Sequence, residues 1–153
     1  MTQTRSPEDW MRNALALAKS AVIAKEVPVG AIIVRENEII ASAHNETEQS
    51  KDPTAHAETL AIRRAAQKLD RWRLDDCSLY VTLEPCPMCI GAILLARIPR
   101  LYFGCYDPKL GAVGSLFDLS AHSSLPTKIE VFPSLLEHDC RDVLQGFFRS
   151  KRD

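Results

Sequence analysis

The sequence predicts a three-layer α/β/α fold, in which a mixed sheet of about five strands lies between helices on both faces. Two observations lead to this prediction. Short β-branched and apolar runs alternate along the chain with longer segments of helical periodicity, as they do in sheets covered by helices. The first two such runs form a hairpin, so we expect antiparallel as well as parallel pairs of strands.

The first half of the chain predicts a helix, a hairpin and a second helix. Ser6 can cap the first helix because Pro7 follows it at the first helical position, with acidic residues in the first turn. Asp52, Pro53 and Thr54 precede the second helical pattern and predict where it begins. The elements expected here are a helix from Ser6 to about Lys25, strands at 31–34 and 38–42, and a helix over 55–69.

The second half continues with alternating strands and helices. Pro85 marks the point where an apolar strand ends and a helix begins. A glycine-bearing loop at 107–115, DPKLGAVGS, follows a later strand. The sequence contains no internal repeat or linker, so the whole chain, 1–153, is expected to be one domain. The elements expected here are strands at 79–83, 100–104 and 128–132 and helices over 86–98 and 134–149.

Composition and charge exclude several classes of protein. The chain has 153 residues, of which 46% are hydrophobic and 25% are charged, as in ordinary globular domains. No apolar run approaches the roughly 20 residues that a membrane span needs, and the N-terminus lacks the pattern of a secretory signal. A formal charge of −1 gives no general attraction to nucleic acid, and five cysteines, an odd number, favour a reducing compartment such as the cytoplasm.

The stretch LEPCPMC, residues 83–89, allows three interpretations: a redox dithiol, half of a structural zinc site, or half of an active site. Cys86 and Cys89 are three residues apart at a predicted helix start, so both side chains can point toward one position. The helix N-terminus also favours their thiolate form, which is the form that binds metal. The cysteine pair alone does not decide among the three interpretations.

A third metal ligand is offered by TAHAETLA, which contains His56 and Glu58. Residues two apart point in different directions on a helix, so these two can converge only at the tip of the helix, where the preceding Asp52 and Pro53 place them. The pattern predicts two helix N-termini that meet at one metal ion. Zinc in a catalytic site usually takes three protein ligands and keeps a fourth position for water.

These residue types fit hydrolytic deamination. His56, Cys86 and Cys89 would bind Zn²⁺, and Glu58, which would not be a ligand, would move a proton from the activated water to the departing amine. The spacing H-x-E…P-C-x-x-C is the signature of zinc-dependent nucleobase deaminases.

Two other interpretations make different predictions. A structural zinc site would need a fourth ligand such as Cys77 or Cys105, but both flank strands and are expected to lie in the core. A thiol-redox protein would form a reversible disulfide between Cys86 and Cys89 and hold no stoichiometric metal. The remaining histidines, which are expected on the surface or in loops, are His44, His122 and His138.

Over nearly its whole length the chain resembles tRNA-specific adenosine deaminases, which belong to the zinc-dependent cytidine/deoxycytidylate deaminase superfamily. The motifs that carry the resemblance are EVPVGAIIV, HN at 44–45, DPTAHAE, WRL, LYVTLEPCPMC, DPKLGAVGS and FFR. DPTAHAE and EPCPMC are shared with guanine deaminases, whereas VTLEPCPMC followed by DPKLGAVGS is closer to the tRNA enzymes. The resemblance implies a cytidine deaminase-like fold and the conversion of adenosine to inosine at the anticodon wobble position of tRNA. Deamination of a free base or nucleoside such as guanine is the alternative.

The resemblance also implies one Zn²⁺ per subunit, a tRNA anticodon stem-loop as partner, and a homodimer in which the partner subunit helps to build the RNA site. The substrate-binding residues that it implies are Asn45, Ala57, Glu26, Val27, Pro28, Val29, Leu83 and Pro85. The residues that it places near the RNA backbone are Asp107, Lys109, Arg149, Lys151 and Arg152. From the residues alone, Asp107, Lys109 and the loop glycines could equally only make a turn. From charge alone, the basic end of the last helix could equally be a solvated helix terminus. One departure from the family pattern is Leu110, where threonine is common, so a hydroxyl that could contact RNA is missing.

Overall fold

The first helix, α1 (Pro7–Ile23), begins at the capping residue that the sequence predicts. In the computed structural model, which describes residues 4–121, 124–125 and 128–152, the Ser6 hydroxyl accepts a hydrogen bond from the Asp9 amide, and the Asp9 carboxylate accepts one from the Ser6 amide. The helix ends two residues before Lys25, because Lys25 has a φ of 62° and a right-handed helix does not accommodate a positive φ.

Five strands of the described chain form one sheet: β1 (Gly30–Arg35), β2 (Glu38–His44), β3 (Ser78–Leu83), β4 (Arg100–Cys105) and β5 (Glu130–Phe132). Their order is β2-β1-β3-β4-β5. Strand β1 is antiparallel to both β2 and β3, whereas β3, β4 and β5 are parallel to one another. The prediction of a mixed sheet of about five strands is confirmed, although β5 is two residues shorter than expected.

The two ends of the sheet differ in what they bring together. Because β1 runs antiparallel to β3, β1 begins at the end of the sheet where β3 and β4 finish, which we call the Leu83 end. We call the other end, where β3 and β4 begin, the Ser78 end. The turn that joins β1 to β2 lies there. Glu36 and Asn37 in this turn have φ values of 50° and 61°, as a tight hairpin that matches the strand twist requires.

The remaining described helices are α2 (Thr47–Ser50), α3 (Ala57–Leu69), α4 (Pro87–Leu95) and α5 (Glu137–Arg152). The single turn α2 is too short to produce a periodic pattern, and the sequence does not predict it. Helix α3 begins two residues later than predicted, because Asp52 accepts hydrogen bonds from the Thr54 amide and hydroxyl and so forms a turn before the helix. None of the described helices is long and apolar enough to cross a membrane.

Left-handed backbone positions explain the other boundaries that differ from the prediction. Helix α4 ends before Arg97, which has a φ of 64°, and so stops three residues short of the predicted end. Helix α5 begins three residues late, after Ser134 and Leu136, which have φ values of 64° and 53°. It then continues to residue 152, three residues beyond its predicted end.

Alternation along the strands divides the core into two layers. Ile33, Val81 and Phe103 point to the face covered by α3 and α4 and belong to one cluster of buried residues. Ile32 and Tyr80 point to the opposite face, where they pack with the buried side of α1 and with residues of α5. The three-layer α/β/α prediction is confirmed.

Candidate metal and catalytic site

Two helix N-termini meet at the Leu83 end of the sheet. His56 is the N-cap residue of α3, Cys86 is the N-cap residue of α4, and Cys89 lies in the first turn of α4. The Nδ1 atom of His56 lies 3.6 Å from the Cys86 sulfur and 3.5 Å from the Cys89 sulfur. Neither His56 nor Cys86 uses its side chain to cap its own helix, so both side chains are directed to this cluster instead.

The three side chains could hold a metal ion. Their ligand atoms all lie within 4.8 Å of one another. A tetrahedral zinc ion, bound at about 2.1 Å to nitrogen and about 2.3 Å to sulfur, holds such atoms roughly 3.6 Å apart. The spacing around His56 and the one-nitrogen, two-sulfur donor set therefore both fit zinc.

The cluster has three members among the described residues, and no fourth His, Cys, Asp or Glu of that part of the chain joins it. Cys77 and Cys105, the candidates for a closing ligand, are each only 1% exposed and are packed in the two core clusters, as the sequence predicts. This arrangement disfavours a closed structural zinc site. All five cysteines are free thiols.

The protein's own groups favour a thiolate at Cys86. Hydrogen bonding from Cys89, together with that from His56, lowers the pKa of Cys86 to about 4 even though burial acts in the opposite direction. Hydrogen bonds to Cys86 in turn raise the pKa values of both His56 and Cys89. These contacts therefore favour the thiolate form of Cys86, which is the form that binds metal.

Glu58 lies in the first turn of α3, two residues after His56, and is 4% exposed. Burial raises the pKa of its carboxyl to about 7, while the charge of His56 acts in the opposite direction. A carboxyl with a pKa near neutrality can both accept and return a proton at physiological pH. Glu58 is thus a buried carboxyl beside the cluster, with a pKa suited to proton transfer.

Asn45 connects three parts of the site. It follows β2 directly, is 8% exposed, and donates from its backbone amide to the Val29 carbonyl at 3.1 Å. Its side-chain oxygen accepts a hydrogen bond of 2.8 Å from the Ala57 amide, the first residue of α3. The structure therefore uses the Asn45 oxygen and the Ala57 N–H within the protein, which leaves the Asn45 NH₂ as the group that can donate to a ligand.

The segment before β1 leads to the Leu83 end, next to Asn45. Pro28 and Val29 are buried, Val27 and Leu83 are partly buried, and Pro85 is buried. The structure gives Glu26 a role that the sequence does not predict. Glu26 is fully buried, and its carboxylate accepts hydrogen bonds from the α2 amides of Glu48 and Gln49 at 3.0 and 2.7 Å. It holds α2 in place, and both of its oxygens are occupied by that helix.

Comparison with known proteins identifies the family. A tRNA-specific adenosine deaminase of Bacillus subtilis (strain 168) is 45% identical to this chain over 145 residues, which are 95% of this chain and 90% of that protein. This chain belongs to the tRNA-specific adenosine deaminase family. A member from Aquifex aeolicus (strain VF5) is 46% identical over 148 residues, which are 95% of this chain and 96% of that protein. The family profile of MafB19-like deaminases matches residues 5–152.

Solved deaminase structures share the fold. A structure from work on A-to-I editing by tRNA:A34 deaminases at the wobble position of transfer RNA superposes with a TM-score of 0.86 and 43% identity. The match covers 89% of this chain and 99% of that one. A guanine deaminase from Nitrosomonas europaea superposes with a TM-score of 0.78 at 25% identity and covers 93% of this chain and 84% of that one. The fold is that of the cytidine deaminase-like enzymes, as predicted.

The residues predicted to lie near RNA occupy two exposed regions of this deaminase. The Asp107 carboxylate accepts from the amides of Lys109 and Leu110 at 3.0 and 3.4 Å, so it shapes a turn and presents Lys109 and Leu110 to solvent. Arg149 and Lys151 are exposed near the end of α5. The predictions for the Arg152 side chain and for His122 fall outside the described part of the chain.

Glu84 lies within LEPCPMC but has a role that the sequence does not predict. Glu84 is 2% exposed and accepts hydrogen bonds from the loop at 107–115. A charged residue directly after a buried apolar strand is the one signal that the sequence offers. The partners of Glu84 are 23 to 31 residues away, so local patterns cannot reveal them.

Proposed function

We propose that this deaminase hydrolyses adenosine to inosine at the anticodon wobble position of tRNA. The observation that carries the proposal is the cluster of His56, Cys86 and Cys89 at two helix N-termini, with the buried carboxyl of Glu58 beside it. The relatives from Bacillus subtilis and Aquifex aeolicus support the choice of substrate, because both are tRNA-specific adenosine deaminases.

Each residue of the site has a task in this reaction. His56, Cys86 and Cys89 would hold one zinc ion per subunit, which, when bound, acidifies a water molecule and so supplies the nucleophile at neutral pH. The Glu58 carboxyl would take up a proton from the attacking water and return it to the amine that leaves the purine ring. The Asn45 NH₂ donates to the nucleoside, and the wall formed by Val27, Pro28, Val29, Leu83 and Pro85 encloses the flipped base.

Glu58 provides the most direct test. An anticodon stem-loop with a wobble adenosine should yield inosine with the native protein, and Glu58→Gln should lower the single-turnover rate by about a thousandfold, since the amide cannot carry the proton. Zinc content, measured by mass spectrometry of the metal, should remain near one per chain in both proteins. Inosine formation at the native rate in Glu58→Gln would remove Glu58 from the mechanism.

A second candidate is deamination of a free base such as guanine. The superposition with the guanine deaminase from Nitrosomonas europaea supports keeping it. Turnover of guanine without any reaction on the stem-loop would favour this candidate, and the same Glu58→Gln control would apply to it.

We propose further that the enzyme is a single-domain homodimer in the cytoplasm, and that Asp107, Lys109, Arg149, Lys151 and Arg152 lie against the RNA backbone. Exposed apolar side chains on α4 and after β4 support a subunit contact: Leu95 is 77% exposed, Leu116 51% and Phe117 46%. The free thiols fit a reducing compartment. Sedimentation equilibrium should give twice the chain mass, and a monomer at micromolar concentration would contradict the homodimer.

A further inference from the structure

Glu84 is a buried carboxylate that the zinc chemistry proposed above does not use. It follows the last residue of β3 and lies two residues before the metal ligand Cys86. Its backbone amide donates to the Cys105 carbonyl at 2.8 Å, which ties the ends of β3 and β4 together. Within the described residues no lysine or arginine forms an ion pair with the carboxylate, so its oxygens must be satisfied by hydrogen-bond donors instead.

The loop at 107–115 supplies these donors. Oε1 of Glu84 accepts hydrogen bonds from the Asp107 amide at 2.9 Å and from the Ser115 hydroxyl. Oε2 accepts from the amides of Val113 and Ser115 at 2.9 and 3.0 Å. The donors come from the first and last parts of the loop, so the nine-residue segment closes around one carboxylate. Hydrogen bonds to a charged acceptor are among the stronger ones in proteins.

Gly111 lets the middle of the loop cross directly over this carboxylate. A Cβ atom at Gly111 would lie 2.3 Å from both Cδ and Oε1 of Glu84, which no side chain could tolerate without moving the loop or the carboxylate. The next residue, Ala112, is buried and donates from its amide to the Pro85 carbonyl at 2.9 Å. The loop is therefore fastened at its start, middle and end to residues 84–85.

The longest exposed run in the loop is the tip at 108–110, which includes Lys109 and Leu110, and Gly114 is exposed separately. Glu84 and Pro85 connect this tip to Cys86 through two covalent links and the hydrogen bonds described above. The metal ligands themselves are held separately, by the N-termini of α3 and α4. Loosening the Glu84 carboxylate would therefore move the tip without displacing His56 or Cys89.

We infer that Glu84 is a positioning residue that fixes the 108–110 tip relative to the metal ligand Cys86 and so sets the affinity for the RNA substrate. This inference rests on the proposed function, because it takes the tip to face RNA. Glu84 contributes through the loop backbone and touches neither the cluster nor the substrate. Its removal changes substrate binding more than the chemical step.

Glu84→Gln tests the inference with an isosteric change. The glutamine NH₂ can only donate, so the Ser115 hydroxyl turns to accept from it, while the Asp107 amide loses its acceptor. In single-turnover experiments on the anticodon stem-loop, we expect the concentration for half-maximal rate to rise about tenfold and the maximal rate to change less than about threefold. Zinc content should remain that of the native protein, and hydrogen exchange should accelerate in the 107–115 amides.

Ser115→Ala is a second, milder test, since it removes one of the hydrogen bonds to Oε1 and leaves the three backbone amides in place. We expect a rise of about threefold in the half-maximal concentration, and this variant carries the test if Glu84→Gln does not fold. The inference is overturned if the half-maximal concentration is unchanged in both variants. It is also overturned if the maximal rate falls while the half-maximal concentration stays the same. Native protein that fails to edit the stem-loop instead overturns the proposed function, and the inference with it.

Discussion

Asn45 shows how one side chain can serve two purposes through its two polar atoms. The oxygen accepts from the Ala57 amide at 2.8 Å and so fixes the start of α3, where His56 is the N-cap residue and Glu58 lies in the first turn. The nitrogen of the same amide group can then donate to a ligand. The support of α3 and the substrate contact proposed above are therefore separable by substitution.

Two variants of Asn45 should separate these purposes. Asn45→Ala leaves the buried Ala57 N–H without its acceptor, so we expect a loss of about 1–3 kcal/mol in the free energy of unfolding, measured with urea. Asn45→Asp keeps an acceptor, near a helix N-terminus that favours negative charge, and should retain most of the stability while editing of the stem-loop falls at least about tenfold. Full editing by Asn45→Asp would show that the amide nitrogen does not contact the substrate.

At this scale the sequence predicts residues with candidate chemical roles but not residues with supporting structural roles. His56, Glu58, Cys86 and Cys89 could be chosen because their chemistry and spacing are local properties. The supporting roles of Glu26, which the resemblance places in the substrate pocket, and of Glu84 could not be predicted, because each binds backbone amides more than 20 residues away, and any segment of the chain can supply such amides. Burial of an acidic residue is visible only after folding.

Among the elements, the Ser78 end of the sheet is held by an ion-pair network. Asp76, just before β3, accepts from Arg35 at the end of β1 at 2.6 Å and from Arg71 at 2.7 Å. The hydrogen bond from Arg35 is the main cause that lowers the pKa of Asp76 below its ordinary value of 3.8, with Arg71 adding to it. The network joins two antiparallel strands to the turn after α3.

This lowered pKa gives a pH dependence of stability. The network stabilises the fold above the ordinary pKa of Asp76, and its contribution is lost as pH falls through the lower folded-state value. Because the groups are partly exposed, Asp76→Asn should cost only about 1 kcal/mol at neutral pH. Urea unfolding should show this difference in full at pH 7, and the difference should shrink progressively as the pH falls below 3.8. A difference that persists undiminished in acid would show that packing, and not charge, is the cause.

The order and type of most elements follow from periodicity, while their ends do not. Ser6 and Pro7 predicted the start of α1 correctly because capping is local. The ends of α1 and α4 and the start of α5 depend on Lys25, Arg97, Ser134 and Leu136, which adopt positive φ although none is glycine. The surrounding structure imposes these backbone conformations, so the local sequence does not predict them.

For the whole molecule, the cluster links segments that are distant in the chain. His56 is 30 residues before Cys86, and a metal bound to both closes that loop only in the folded state. Zinc at a free concentration of about a hundred times its dissociation constant should therefore raise the free energy of unfolding by about 3 kcal/mol. We expect a chelator that removes the zinc to abolish this gain. Differential scanning calorimetry measures the accompanying fall in Tm.

His56→Ala is the control for this experiment, because it removes one ligand without a change in the sheet. Its Tm should respond little to zinc, whereas the native Tm should recover when one equivalent of zinc is restored. A native Tm that is indifferent to the chelator would contradict the assignment of His56, Cys86 and Cys89 as ligands.

The separation between the two ends of the sheet has a practical consequence. A strand of six residues spans about 20 Å, so the turn at 70–73 lies roughly that far from the cluster. Trp72 in that turn is 62% exposed and stacks with Arg73 on the outside of the fold. A fluorescent dye, an affinity tag or a fused protein attached there would sit on the side of the enzyme away from incoming RNA, so tethered forms could be built without obstructing the reaction.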